Sequence, residues 1–206
     1  MSSEALYNNY NQTSTNSDVQ QRTPMYHVNQ EVHCSNGEFT LVEKNYGQLV
    51  LRVTADNDLF SQAITTITEL QLPKKPLQSV SNQDYTIHWI SPDEFLLICP
   101  ENTEFKVENL IRAEMNDDEN HFAIVNVTSG QTVVDISGIA AESILKKSTP
   151  YDIHPSILSL GKVVTTVFAK TQVILWRTSS EHFSVVVRRS FSDYFWRWVN
   201  DAGKRD

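Results

Sequence analysis

The segment RRSFSDYFWRWVNDAG, Arg188 to Gly203, limits the possible fold more than any other stretch. It places five aromatic residues in the eight positions Phe191 to Trp198, directly behind an apolar strand and next to the C-terminus. Chain ends are usually polar and fray, whereas a helix this rich in rings has to dock. Ser190, with Asp193 three residues on, reads as an N-cap followed by an acidic first turn. Ala202-Gly203 reads as the stop, because glycine tolerates the left-handed cap conformation. At about 100° per residue, Phe191, Phe195, Trp198 and Ala202 share a stripe flanked by Tyr194 and Val199. That stripe is the expected core face. Trp196 falls off it, beside Ser192 and Asn200, with Asp193 and Arg197 close by. Two readings of Trp196 stay open. It lies under another loop of the same domain, or it contacts a partner, since tryptophan is enriched among interface anchors.

The 206 residues suffice for one domain with a sizeable core plus a tail. A net charge of −8 lacks the broad basic field that nucleic-acid binding uses. The basic residues near the end (Arg188, Arg189, Arg197, Lys204 and Arg205) read as a local salt-bridging or docking patch. No apolar run is long enough to span a membrane. Met1-Ser2-Ser3-Glu4 lacks the basic start and apolar run of a signal peptide, so a cytoplasmic location is the simplest expectation. The two cysteines, Cys34 and Cys99, make neither a disulfide framework nor a metal site. Residues 1–35 are about half Asn, Gln, Ser and Thr without apolar periodicity, and read as a flexible polar extension. The folded domain is expected over 36–206.

Within it, Phe39 to Val42 and Leu49 to Val53 read as strands with Asn45-Tyr46-Gly47 as the turn between them. A helix follows, with Leu59, Phe60, Ala63, Ile64, Ile67 and Leu70 on one side, Asp58 as cap, and Pro73 and Pro76 as stops. Tyr85 to Ile90 is a strand with Tyr85, Ile87 and Trp89 on one face. Ser91-Pro92-Asp93-Glu94 fits either a capping box or a type I turn. The run behind it, Phe95 to Cys99, has strand length, which selects a hairpin. A second helix near Thr103 to Met115 carries Val107, Leu110, Ile111 and Met115. His121 to Val127, a Ser129-Gly130 turn and Thr132 to Ile136 follow, then a short helix capped by Ser137 and running through Lys147. Val163 to Phe168, Val173 to Arg177 and Phe183 to Val187 are β-branched strands at hairpin spacing. Strands with segregated helices in two similar half-patterns argue an α+β fold, mostly antiparallel, with about four helices. No sequence repeat is strong enough to mark an internal duplication.

The chain carries no nucleotide loop, no H-E-x-x-H, no C-x-x-C and no nucleophile elbow. None of the six glycines cluster to cradle phosphates. His154, before Pro155 in a rigid loop, is expected to make a structural hydrogen bond. His88 and His182 sit opposite the apolar faces of their strands and are expected to be half-exposed. Cys99 reads as a buried small hydrophobe. Asp135 lies in an apolar strand and must be paired or edge-exposed. Arg188-Arg189 could clamp a carboxylate or phosphate, or pair with Asp193. No catalytic, cofactor-binding or metal-binding set emerges from these residues.

Several blocks together resemble the sarcosine oxidase gamma subunit family. Trp89 through Leu97 matches its W-[IL]-x-P-D-E-[WF]-L-L segment. Asn126 to Gly138 follows its D-x-S-x-G-x-T strand and L-S-G helix start. Pro150, Asp152, His154 and Pro155 match its C-P-L-D-L-H-P connection, followed by Gly161 and Thr166. Arg188 to Trp198 matches its R-R-S-F-[AS]-D-Y-[LF]-W-R-W ending without a gap. The likeness covers roughly Phe60 to Ala202. Asn126, Gln131, Thr149 and Ala169 depart from the family's aspartate, arginine, cysteine and glycine.

The resemblance implies a fold similar to the glycine-cleavage T-protein and its folate-binding relatives. It further implies a non-catalytic structural subunit of a heterotetrameric complex that demethylates sarcosine to glycine and passes the one-carbon unit to tetrahydrofolate. Alpha, beta and delta subunits are the implied partners. FAD and FMN would sit with beta, NAD and tetrahydrofolate with alpha, and zinc with delta. Trp196, Arg188, Arg189, Arg197 and His154 are the expected partner contacts. The alternatives are a stand-alone folate- or small-ligand-binding module and an enzyme in its own right.

Overall fold

The strands sort into two antiparallel sheets whose central strands are each reached by a chain crossing from the other sheet. The computed structural model describes residues 23–27, 31–33, 38–54, 56–115 and 121–204. One sheet has the order β1 (Glu31–His33), β2 (Thr40–Lys44), β8 (Gln131–Ser137), β11 (His182–Arg188), β10 (Thr171–Ser179) and β9 (Val163–Phe168). The other runs β4 (Ser79–Ser81), β5 (Thr86–Ser91), β6 (Glu94–Pro100), β3 (Tyr46–Val53) and β7 (Phe122–Asn126). The four helices among the described residues are α1 (Asp58–Thr68), α2 (Glu104–Met115), α3 (Ala141–Lys146) and α4 (Ser192–Gly203). This is the α+β, mostly antiparallel, four-helix fold expected from the pattern.

Alternation along each strand builds three apolar layers. Leu96 and Ile98 of β6 meet Val133, Val163, Trp176 and Val186 between the sheets. On the outer face of the five-stranded sheet, Leu49, Leu51, Leu97 and Cys99 pack under α1 and α2 through Phe60, Ile64, Val107 and Ile111. On the outer face of the six-stranded sheet, Val134, Ile136, Leu175 and Val185 pack under α3 and α4. The order is therefore helices, sheet, sheet, helices.

The expected turn at Asn45-Tyr46-Gly47 is not a hairpin. β2 pairs with β8, while β3 pairs with β6 and β7 in the other sheet. The chain thus crosses between sheets at Asn45. It crosses back after β7, where Gly130 N donates to Val127 O at 2.8 Å in the expected Ser129-Gly130 turn. The result is a structural duplication that the sequence pattern did not betray. One unit is β2-β3-α1-β4-β5-β6-α2 and the other β7-β8-α3-β9-β10-β11-α4, and each unit's first strand lies in the other's sheet. The crossings touch each other. Gln48 N donates to Thr128 Oγ1 at 2.9 Å, Val127 N donates to Gln48 O at 2.9 Å, and Gln48 Nε2 donates to Gln131 O at 3.4 Å.

Local differences have plain causes. Asn57, not Asp58, caps α1, its side chain accepting from Phe60 N, and Glu69 in the left-handed region ends the helix before the prolines. Leu59 and Leu110 turn outward, 42% and 43% exposed, while Glu104 and Glu108 take buried positions on α2. Ser137 caps nothing, because α3 starts at Ala141 without a side-chain cap. The Ser91-Pro92-Asp93-Glu94 segment is the expected hairpin, with Ser91 opposite Glu94. The extension does not run to residue 35. Met25 is fully buried in the core under α4, and β1 pairs with β2. Residues 1–22 and Cys34 lie outside the described residues.

His88 is not half-exposed. It is fully buried between the sheets, its ring 4.4 Å from that of Trp176 and its Nδ1 2.9 Å from Ser79 Oγ. Burial pushes its imidazole down to about 3, from the usual 6.5. The unfolded chain binds a proton there that the folded chain refuses. Stability from this group is therefore lost as the pH falls from about 6.5 toward about 3. His88→Phe is expected to flatten that acid limb, as read from denaturant unfolding across the range. An unchanged slope would assign acid sensitivity to other groups.

Candidate functional site

The C-terminal helix forms as expected but sits in a different rotation. Arg189–Phe191 is a 3-10 turn, and α4 starts at Ser192, whose hydroxyl donates to Arg189 O at 2.9 Å. Ser190 is not the cap. The buried residues of α4 are Ser192, Phe195, Trp196, Val199, Ala202 and Gly203. Compared with the expected stripe, the core face is turned by roughly 70°, at about 100° per residue. Trp196 is 3% exposed within the chain itself, and Phe195 meets Phe168 at 4.7 Å. Trp196 is therefore a core residue, corrected from a surface anchor. Two features set the rotation. A Cβ on Gly203 would overlap the Phe39 ring, so this glycine is a contact point rather than a left-handed cap. Lys147 Nζ donates to Ala202 O at 2.9 Å and holds the helix end.

The same rotation leaves Phe191 and Trp198 on the outside, while Tyr194 is half-buried with its hydroxyl turned inward. Phe191 is 39% and Trp198 41% exposed. Trp198 keeps one tie to the body, its Nε1 donating to Ser148 Oγ at 2.6 Å, and its ring lies 5.7 Å from that of Tyr194. Arg188 and Arg189 are exposed. They do not pair with Asp193, which takes Arg197 Nε and His27 Nε2, each at 2.9 Å. Those partners, His27 foremost, hold the Asp193 carboxyl below its usual range. Arg188, Arg189 and Arg197 thus share the α4 end of the molecule.

His154 lies elsewhere, in the loop between α3 and β9. Its Nδ1 is 2.8 Å from Ser156 Oγ, the structural bond expected of it, and its side chain is exposed. What fixes that loop is Arg177, which the sequence reading passed over. Arg177 is 4% exposed and donates to Leu158 O, Ile153 O, Ser180 O and Glu142 Oε2 at 2.6–3.0 Å. Its guanidinium also covers the Phe183 ring at 4.3 Å. The available signal was an arginine at the third apolar position of Val173, Leu175, Arg177.

Asp135 is paired, as an acid in an apolar strand must be. Ser184 Oγ donates to it at 2.6 Å, His182 Nε2 lies at 3.3 Å and Lys44 Nζ at 4.0 Å. Asp135, His182 and Ser184 border a cleft of about 510 Å³ between the sheets, with Tyr46 and Trp176. The order of contacts is wrong for nucleophilic catalysis. Serine donates straight to the carboxylate and no imidazole stands between them. Cys99 is buried and its thiol is pushed up to about 11 by desolvation, so it stays protonated. Among the described residues no three His, Cys, Asp or Glu side chains are grouped to hold a metal ion. The space above Gly47 is filled by Cys99 and Glu104, and that above Gly138 by Glu38.

The model of the family described as "Sarcosine oxidase, gamma subunit family" matches residues 52–205. The chain belongs to the sarcosine oxidase gamma subunit family. A sarcosine oxidase subunit gamma from Corynebacterium sp. (strain P-1) is 34% identical over 114 residues, covering 55% of this chain and 54% of the relative. One from an Arthrobacter species is 32% identical over the same shares. The chain's match thus spans about half the length of these curated relatives. A chain of the heterotetrameric sarcosine oxidase of Corynebacterium sp. U-96 superposes with a TM-score of 0.80 at 27% identity, covering 89% of this chain and 94% of that one. The glycine cleavage aminomethyltransferase T of Bartonella henselae shares the fold, with a TM-score of 0.58 at 7% identity over 77% of this chain and 44% of that one. The T-protein-like expectation is met. In this gamma-type chain Trp196→Ala should lower the stability of the isolated protein by about 3–5 kcal/mol, as a buried aromatic does. Trp198→Ala should cost less than about 1 kcal/mol beyond its single hydrogen bond. Thermal or denaturant melting of the two variants checks the rotation of α4, and equal losses would contradict it.

Proposed function

We propose that this chain is a non-catalytic structural subunit of a heterotetrameric sarcosine-oxidase-type complex. The observation that carries the reading is its superposition on nearly the whole of one chain from such an enzyme. In this reading the assembled complex oxidatively demethylates sarcosine to glycine and delivers the one-carbon unit to tetrahydrofolate. FAD, FMN, NAD, tetrahydrofolate and zinc belong to the companion alpha, beta and delta subunits. The assembly is cytoplasmic, and no helix among the described residues is long and apolar enough to cross a membrane.

The chain's own chemistry supports a scaffold. Its inner polar groups hold its own parts together: Arg177 of β10 anchors the His154 loop, and Asp135 of β8 accepts from Ser184 of the adjoining β11. His154, Arg188, Arg189 and Arg197 are all outward-facing and remain the proposed partner contacts. Co-expressed with its companion chains, the protein should purify as a stoichiometric complex with flavin absorbance. Expressed alone, it should be colourless and inactive. An active, flavin-loaded chain on its own would contradict the proposal.

The inter-sheet cleft is the observation that favours a second reading, a stand-alone folate- or small-ligand-binding module. Trp176 lines that cleft, so tetrahydrofolate binding there should quench tryptophan emission. Saturable quenching by the isolated chain would favour the module, and its absence the scaffold.

A further inference from the structure

We propose that the exposed rings of Phe191, just before α4, and Trp198, on α4, dock into an apolar recess rimmed by acidic side chains on a companion subunit. This inference rests on the reading of the chain as one subunit of a larger complex. It deepens that reading by naming the surface and the chemistry of what covers it.

The folded chain does not use these rings as it uses their neighbours. Phe195 and Trp196 are 0% and 3% exposed, whereas Phe191 and Trp198 on the same helix end keep about two-fifths of their surface in water. Phe191 closes the 3-10 turn that leads into α4, and Trp198 lies within the helix with its ring 5.7 Å from that of half-buried Tyr194. A large ring held rigid by one hydrogen bond, Trp198 Nε1 to Ser148 Oγ, loses little freedom when covered. The ridge is thus pre-formed.

Charge selects the occupant. Residues 188–204 carry four cations (Arg188, Arg189, Arg197 and Lys204) against two carboxylates, Asp193 and Asp201, a local excess in a chain of net charge −8. Asp193 is already satisfied by His27 and Arg197. Arg197 remains 72% exposed at its side chain, and Arg188 is exposed at the end of β11. A second copy of this chain would set arginines against arginines. A companion surface with carboxylates around an apolar recess meets both features, and the rim charges would govern encounter and register.

The test uses the full chain co-expressed with the companion chains of a sarcosine-oxidase-type complex. Two double variants are compared with wild type, Phe191→Ala with Trp198→Ala, and Arg188→Glu with Arg197→Glu. Assembly is read by tag pull-down and light scattering, and the fold of each lone chain by its melting temperature. The aromatic variant should reduce recovery in the complex at least about tenfold, as hot-spot truncations do. The charge-reversed variant should also assemble poorly, with the wild-type sensitivity to salt abolished. Its lone chain should melt close to wild type, because both arginines are exposed and Arg197→Glu removes only the exposed ion pair to Asp193, which keeps the test valid if the aromatic variant unfolds. Normal assembly of both variants overturns the docking surface and leaves the subunit reading standing. Failure of the wild-type chain to join any companion overturns the subunit reading and this inference with it. Dimerisation of the lone chain, abolished by the aromatic variant, would assign the ridge to a second copy and overturn the acidic recess.

Discussion

The contact on which the structure depends is the crossing of two connections at Gln48. Here the path from β2 into β3 meets the path from β7 into β8. Gln48 is 1% exposed, its main chain is held by Thr128 and Val127, and its side chain reaches Gln131 O. Gly47 beside it has no room for a side chain, since a Cβ would stand 2.6 Å from Cys99 Sγ and 2.9 Å from Glu104 Cβ. A bulkier residue would have to push β6 or α2 aside. Because each unit lends its first strand to the other's sheet, neither sheet is complete without the other half of the chain. The two outer cores and the layer between the sheets are consequences of that exchange.

The exchange also explains where the outward-facing features lie. With both sheets face to face, helices can cover only the outer surfaces. α4 closes the six-stranded sheet and is held at its end by Phe39 and Lys147. These contacts choose which of its aromatic residues turn inward. The His154 loop is set by Arg177, a buried cation whose donors go mostly to main-chain carbonyls. A family of subunits can keep such a body and vary what its surface meets. The absence of a nucleophilic arrangement around Asp135 fits a chain whose polar interior is spent on holding its own parts together.

Much of this was legible in the residues. Strand and helix positions followed from alternation and 3.6-residue periodicity, and the hairpin at Pro92 from strand length. The ending Arg188 to Trp198 pointed to the family. The rotation of α4 was not legible, because a helix with aromatic residues on most sides offers two adjacent apolar faces. The Phe39 ring against Gly203 and the Lys147 bond to Ala202 O decide between Trp196 and Trp198. His88 looked half-exposed because its strand reads as alternating, yet both faces of β5 are covered. The exchange of strands escaped notice because Asn45-Tyr46-Gly47 is also good hairpin chemistry. A faint trace existed in Gly47-Gln48-Leu49-Val50 and Gly130-Gln131-Thr132-Val133, which occupy corresponding crossings.

The central claim is that the two halves form one cooperative unit through the strand exchange. Amide hydrogen exchange of Gly47→Ala tests it most directly, because the substitution disturbs a single crossing next to the five-stranded sheet. The account expects protection to fall together in β3 and β6 of that sheet and in β8 and β11 of the other. Loss confined to the five-stranded sheet, with β8 and β11 as protected as in the wild-type chain, would contradict it.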